Sequence, residues 1–293
     1  GINPDGPEWT NLFSNLFQMS PDHCFDIDVG NWDGHMTPQI FWAVVRIVNL
    51  LYGDSDFSRE GIIRFAIAHN AVFGYDQWED LLIKKQRGMP SGFGGTAIYN
   101  TIAHMLVLYV LYLILADQSG HRTTHGNFST FLSVVVVFFY GDDVVGSFHP
   151  SILSWFNAVA LSDLYSYYGW PTTSASKCGV QVTHKPIWEV QFLKRFFVKD
   201  EDYGMSIIHP KIDSAVIYNL LHWMRVNSRT CITEQLQENI GNAMALAMPH
   251  GRGFYEDIRS RLNRILAVHK IFPYLVTYNA MRDSLLESRF GIA

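Results

Sequence analysis

The chain reads as an α+β protein, on three observations. Phe25, Ile27 and Val29 alternate with Asp26 and Asp28, the period-two pattern of a strand with one buried face. Val134–Ser147 reads VVVVFFYGDDVVGS: the β-branched and aromatic run Phe131–Tyr140, a Gly-Asp turn and a second short apolar run predict a β-hairpin. Apolar stripes at helical spacing fill much of the remainder and carry the chain from Pro210 onward. With 293 residues, 48% of them hydrophobic and 14% aromatic, a large core is available for one big domain or two to three subdomains. No Pro/Gly/Ser-rich linker, low-complexity tract or repeat divides it.

Composition excludes more than it identifies. A net charge of −5 gives no global argument for nucleic acid, whose backbone binders usually show a basic face. Cys24, Cys178 and Cys231 stand far apart without CxxC spacing and read as reduced, buried thiols, with neither a disulfide framework nor a zinc site. The chain opens GINPDGPEW, without signal peptide or initiator Met, as though cut from something longer. Its most membrane-like stretch, Ala97–Ala116, holds Asn100, Thr101 and His104 near one end. The uninterrupted apolar part, Met105–Ala116, is too short to span a bilayer, so a buried helix is expected and no transmembrane segment.

Taken in order, an amphipathic helix is expected around Trp9–Phe17, followed by the acidic strand. Two acids on one strand face are costly unless something positive meets them; surface acids on a half-exposed strand are the plainer explanation. Gly30–Gly34 turns the chain and presents Asp33 five residues beyond Asp28. Thr37 and Pro38 open a helix striped by Ile40, Phe41, Val44, Val45, Val48 and Leu51, which Gly53 ends. Helical pieces follow at Arg59–Val72 and Trp78–Ile83. Lys84, Lys85 and Arg87 then make a short charge run, a solvated face or a phosphate contact. Next comes Gly88–Thr96, a Gly-rich loop whose backbone a ligand could approach closely, leading into the apolar helix. Thr96 and Asn100 are four residues apart and share a helix face. A helix cap plus a buried Asn explains them as well, and the loop is not a P-loop, having no Lys in the required place.

His121 and His125 sit in a Gly-flanked HRTTH segment that reads as a turn and argues against zinc. The hairpin places Asp142 and Asp143 side by side at its tip. They repel unless a cation sits between them, and hard oxygen ligands on a stiff stem suit Mg²⁺. Ser151–Tyr168 is expected to be one amphipathic helix closed by Gly169. After it, Trp170–Lys177 is a loop and Phe192–Phe197 a strand with a basic middle. Helices are expected over Ile212–Val226, Thr233–Met248 and Phe254–Val268. The last carries Arg259, Arg261 and Arg264, by default a solvated face, more sharply a nucleic-acid contact.

DIDVGNWDG, GMPSGFGGTAIYN, YGDDV, YGWPTTSASK and FLKRFF occur in that order. Together they resemble catalytic motifs A to E of RNA-dependent RNA polymerases of positive-strand RNA viruses, closest to the picornavirus-like group. The resemblance covers essentially the whole chain. It implies a right-handed polymerase palm, an antiparallel sheet backed by helices, followed by a helical thumb. The implied division is 1–64 for the start of the palm, 65–88 for a fingers segment, 89–200 for the palm with motifs B to E, and 201–293 for the thumb.

The implied roles follow residue by residue. Asp28 and Asp142, assisted by Asp143, would hold two Mg²⁺ ions, for which Mn²⁺ could substitute; Asp26 would either support the metal ligands from behind or be structural. Lys177 would protonate the departing pyrophosphate. Asp33 and Asn100, with Ser91 and Thr96 behind them, would bind the NTP ribose at its 2′-hydroxyl. Gly92, Gly94 and Gly95 would let the loop flex as template moves, and Lys194 and Arg195 would lie against the primer. The implied partners are RNA template and primer, NTPs and other viral replication proteins, in the host-cell cytoplasm at membrane-associated replication complexes. One departure stands out. The family's basic fingers motif lies upstream of motif A, yet none of the 27 residues before Asp28 is Lys or Arg. The expectation is that this chain alone lacks robust polymerase activity. Rival readings are a reverse transcriptase-like polymerase, which normally has a bulky residue where Asp33 stands, and a non-catalytic palm–thumb module of a replication complex.

Overall fold

The computed structural model describes residues 2–175, 181–223, 231–271 and 275–292. Along the chain run α1 (Pro7–Met19), β1 (Cys24–Val29), α2 (Trp32–His35), α3 (Pro38–Tyr52) and α4 (Arg59–Phe73). Next come β2 (Tyr75–Trp78), β3 (Leu81–Lys84), α5 (Thr96–Gln118), α6 (Arg122–His125), α7 (Phe128–Val134), β4 (Val135–Tyr140) and β5 (Asp143–Phe148). Then follow α8 (Ala158–Tyr167), β6 (Thr172–Thr173), β7 (Arg195–Asp200), β8 (Gly204–Ile212), α9 (Ser214–His222), α10 (Ile232–Ala247), α11 (Arg252–Val268) and α12 (Tyr278–Phe290). They form two compact units, residues 15–192, and residues 1–14 with 193–293.

The unit of residues 15–192 is built on an antiparallel sheet of order β4-β5-β1-β6. Phe25, Ile27 and Val29 of β1 face a core shared with Val144 and Phe148 of β5 and with buried residues of α3, α4, α5 and α8. Gly146 is required here: a Cβ on it would lie 2.4 Å from the Phe25 ring, which stacks on Phe148 at 4.2 Å. α5, with 23 residues, has the length and composition of a membrane span, and one face of it lies in the core. Ala103, Val107, Leu108, Leu111, Tyr112 and Ala116 are buried along it.

The acidic strand finds its compensation inside this unit. Asp26 is fully buried and accepts bonds from Lys185 Nζ (2.7 and 2.8 Å), Ser174 Oγ (3.0 Å) and the backbone N–H groups of Ala175 (3.1 Å) and Gln191 (2.8 Å). A buried carboxylate is tolerable only with such a set. Of the two roles expected for Asp26, these partners give it the structural one.

In the other unit, the β7–β8 hairpin joins α9 to α12, whose second core includes Ile240, Met244, Tyr255, Ile258 and Leu266. Trp9 and Phe13 of α1 pack on Phe197. Asp200, buried at the end of β7, is bound by Arg282 and by His209 Nε2 (2.7 Å), and by the N–H groups of Asp202 and Tyr203. Burial would raise its pKa, but Arg282, His209 and those N–H groups outweigh it and hold the carboxyl well below the usual range.

Several local expectations are corrected. Trp78–Ile83 is no helix: Glu79 takes φ 53° at a two-residue turn, and Trp78 pairs with Leu81 across a β2–β3 hairpin exposed on both strands. The apolar run at 131 starts as α7, because the Asn127 side chain caps Thr130 N–H, and becomes strand only at Val135. The single helix over 151–168 is broken. Asn157 Oδ1 caps Val159 and Ala160 while its amide donates to Leu153 O, so α8 starts at Ala158. β7 starts at Arg195 after left-handed Leu193 (φ 51°) and Lys194 (φ 60°), so the basic pair opens the strand. Pro210 and Ile212 belong to β8, and the helix begins at Ser214 under the Asp213 cap. Among the thiols, Cys24 is buried and its pKa pushed up to about 12 by that burial, whereas Cys231 is exposed at the start of α10; Cys178 lies outside the described residues.

Candidate active site

The site grows from the register of the sheet. In the antiparallel pair β1–β5, Asp28 lies directly opposite Asp143, and on its other side Asp28 pairs with Thr173 of β6. Like charges facing each other across a ladder repel, and a cation between them relieves that repulsion. Gly141 and Asp142 form the turn between β4 and β5, with Tyr140 paired to Asp143. Gly141 takes φ 65°, the left-handed conformation that a Cβ disfavours, as the sequence predicts. Asp142 is exposed at the turn. Its carboxyl is raised above its ordinary value, first by partial desolvation and then by Asp28 and Asp33, against the backbone N–H groups of Asp142 and Asp143. Asp28, Asp33 and Asp142 therefore share one acidic locus.

Asp33 sits in α2, reached through Asn31 in a left-handed conformation (φ 52°). Its carboxylate accepts a 2.6 Å bond from Asn100 Nδ2, a contact spanning 67 residues. Asn100 is 5% exposed, and its Oδ1 is buried without a partner among the described residues. The Gly-rich loop docks against the same turn: Gly88 N–H donates to Met36 O and Met89 N–H to Asp33 O. The Thr96 hydroxyl closes the loop on the carbonyls of Pro90 (2.8 Å) and Phe93 (2.6 Å), so toward a ligand it has only lone pairs to offer. Ser91 is exposed on the loop. A Cβ added to Gly92 or Gly94 would meet nothing within 4 Å; at Gly95 it would meet the Phe93 ring at 2.8 Å.

Three residues absent from the expected set hold the turn. Thr101 Oγ1 accepts the Gly141 N–H (3.0 Å), and His104 Nδ1 approaches Gly141 O at 3.3 Å. The carbonyl only accepts, so Nδ1 carries the proton and Nε2 accepts from the Tyr165 hydroxyl at 3.0 Å. Burial lowers the His104 pKa to about 4, so the ring is neutral near pH 7. The readable signal was three polar residues, Asn100, Thr101 and His104, at the start of an apolar helix.

Asp28, Asp142 and Asp143 fit a divalent cation by chemistry: hard oxygen donors whose repulsion a cation relieves. Among the described residues no three acids, histidines or cysteines close on one point as a preformed cage. Lys177 and its immediate neighbours lie outside the described residues. Lys194, exposed, and Arg195, whose guanidinium donates to Leu193 O at 2.9 Å, belong to the unit of residues 193–293. His125 is bonded through Nδ1 to the Tyr112 hydroxyl in an aromatic cluster with Trp155. Of the arginines on α11, Arg259 pairs with Glu256 and Arg261 with Asp257.

A family model described as viral RNA-dependent RNA polymerase matches residues 1–269. The chain belongs to that family. It is 29% identical over 275 residues to the genome polyprotein of Rice tungro spherical virus, covering 91% of this chain and 8% of the polyprotein. It is 24% identical over 288 residues to the replicase polyprotein of Drosophila C virus, covering 95% of this chain and 16% of the relative. Among solved structures it is similar to a Sicinivirus 3Dpol RNA-dependent RNA polymerase, with TM-score 0.75 and 21% identity over 98% of this chain and 55% of that one. The fold is therefore that of the family, a palm of antiparallel sheet backed by helices followed by a helical thumb. In this viral polymerase fold Asp28 and Asp143 pair on the sheet, with Asp142 at the adjoining turn and Asp33 on α2.

Proposed function

We propose that this chain is the catalytic region of a viral RNA-dependent RNA polymerase, transferring nucleotides from NTPs to an RNA 3′ end under template direction. The observation that carries the reading is the register that sets Asp28 opposite Asp143, with Asp142 at the adjoining turn and the Asp33–Asn100 pair beside it. Asp28 and Asp142, with Asp143 assisting, would hold two Mg²⁺ ions. When bound, these ions, or Mn²⁺ in their place, supply acidity to the primer 3′-hydroxyl and charge neutralisation to the triphosphate. Catalysis is then mostly positioning and electrostatics.

The chain's own residues do the rest. Asp33 and the unpartnered Oδ1 of Asn100 are acceptors for a ribose 2′-hydroxyl, which favours ribonucleotide over deoxyribonucleotide and so an RNA polymerase over a reverse transcriptase. The open space over Gly92 and Gly94 leaves the loop backbone accessible to nucleic acid, with Ser91 and Gly95 on the same loop. Lys177 donates the proton that leaves with pyrophosphate, and Lys194 and Arg195 contact the primer backbone. The division into palm start (1–64), fingers segment (65–88), palm (89–200) and thumb (201–293) belongs to the same proposal. So do RNA, NTPs and other viral replication proteins as partners, and a place at membrane-associated replication complexes in the host-cell cytoplasm.

Primer extension on an RNA template tests the reading, using the polymerase that contains this chain. Asp142→Ala should abolish incorporation while the protein stays folded by circular dichroism. Near-normal extension by that variant would sink the assignment.

A further inference from the structure

The helix that reads the sugar also holds the metal turn. Asn100, on the first turns of α5, bonds Asp33; Thr101, next in sequence, takes the Gly141 N–H; and His104, one helical turn on, meets the Gly141 carbonyl. Gly141 is thus gripped at both its N–H and its C=O by one helix, and Asp142 is the next residue. His104 is fully buried and clamped from three sides. Its ring stacks on Trp32 at 4.5 Å, beside Asp33; Tyr165 of α8 bonds its far nitrogen; and Phe139 of β4 packs at 5.1 Å. An apolar core has no need of an imidazole here, since Leu108 and Leu111 fill the same helix face further along. What the ring adds is direction: a fixed donor aimed at one carbonyl of the acid-bearing turn.

We propose that His104 is a positioning residue for the divalent-metal site, holding the Gly141–Asp142 turn in register with Asp28 and coupling it, through Trp32 and the Asn100 turn, to the sugar-reading Asp33. The inference rests on the polymerase reading above. It assigns His104 no contact with substrate or metal. Without it, Asp142 keeps its chemistry but loses a fixed place relative to Asp28, so metal binding weakens before the fold fails.

The test is Mn²⁺ binding to the polymerase that contains this chain, followed by the electron paramagnetic resonance of free Mn²⁺, beside thermal unfolding of each variant. His104→Ala should weaken Mn²⁺ binding about 3- to 10-fold, the scale of one lost directional hydrogen bond. His104→Phe keeps a ring against Trp32 without its nitrogens and should weaken binding equally; it decides the matter if the alanine variant does not fold. His104→Gln, which restores an N–H donor, should recover part of the loss. Leu111→Ala should lower Tm and leave Mn²⁺ affinity unchanged. Wild-type affinity in the His104 variants, or an equal loss in Leu111→Ala, overturns the positioning role while leaving the polymerase reading intact. A wild-type protein that binds no Mn²⁺ overturns both.

Discussion

Asp200, at the end of β7, and Asp142, at the turn between β4 and β5, are carboxylates in two differently built regions. Around Asp200 everything is compensated: Arg282, His209 and two backbone N–H groups converge, and the acid is held well below its ordinary pKa. At Asp142 partial desolvation, and after it the nearby acids Asp28 and Asp33, outweigh two backbone N–H groups, and the pKa is raised. Two acids of one strand also differ in what they meet. Asp26 is buried against Lys185, whereas Asp28, two residues on, faces Asp143. A carboxylate ringed by cations and N–H donors belongs to the fold; one whose pKa is raised by desolvation and nearby acids marks a ligand site.

Substitutions break the comparison in opposite directions. The largest effect is the loss of incorporation in Asp142→Ala, where denaturant unfolding should find stability within about 1 kcal/mol of wild type, because the exposed carboxylate gives up only local backbone N–H contacts at the turn and is relieved of neighbouring acids. Asp26→Asn should do the reverse. It leaves the Lys185 ammonium buried without its counter-ion and should destabilise the protein by about 3–5 kcal/mol, read from the urea midpoint. A stable Asp26→Asn protein would dissolve the distinction between the two acids.

A smaller effect sharpens the sugar site. Asn100→Ala should lower the preference for NTP over dNTP about 2- to 10-fold in single-nucleotide incorporation, the scale of one hydrogen bond, with template-directed synthesis retained. Unchanged selectivity would remove Asn100 from the site.

Acid unfolding probes the compensated side. Folded Asp200 holds its proton less tightly than the unfolded chain does, so its stabilisation is complete above the unfolded carboxylate value of about 3.9. It drains as pH falls below that, through the lower folded value. Arg282→Met should flatten this part of the pH–stability curve; an unchanged slope would mean that Arg282 does not hold the acid. The smallest effect belongs to Gly92→Ala. With open space for the Cβ, stability should stay within about 0.5 kcal/mol while elongation slows, if nucleic acid passes over the loop.

Much of the site was legible because its chemistry is local. The five-residue step from Asp28 to Asp33, the Gly-Asp-Asp turn and the Gly-rich loop are contiguous patterns, and β1, α3, α4 and the hairpin lie where periodicity and caps put them. The misread stretches are those where a side-chain cap or a left-handed backbone overruled periodicity: Asn157 splitting one helix, Asn127 starting another, Glu79 at φ 53° turning a helical-looking run into a hairpin. The polar residues of α5 were visible as oddities, but nothing in their spacing named Gly141 as their partner.

By itself, then, the amino-acid order determined which acids can act and which local shapes carry them, since strand period, turn glycine and helix stripe depend on neighbours in the chain. Only the tertiary structure decided what each acid meets. Strand register sets Asp28 against Asp143, and a lysine 159 residues away neutralises Asp26. A helix 37 residues before the turn grips Gly141. Charge and hydrogen bonding act through space, and a linear pattern holds no distances between residues so far apart.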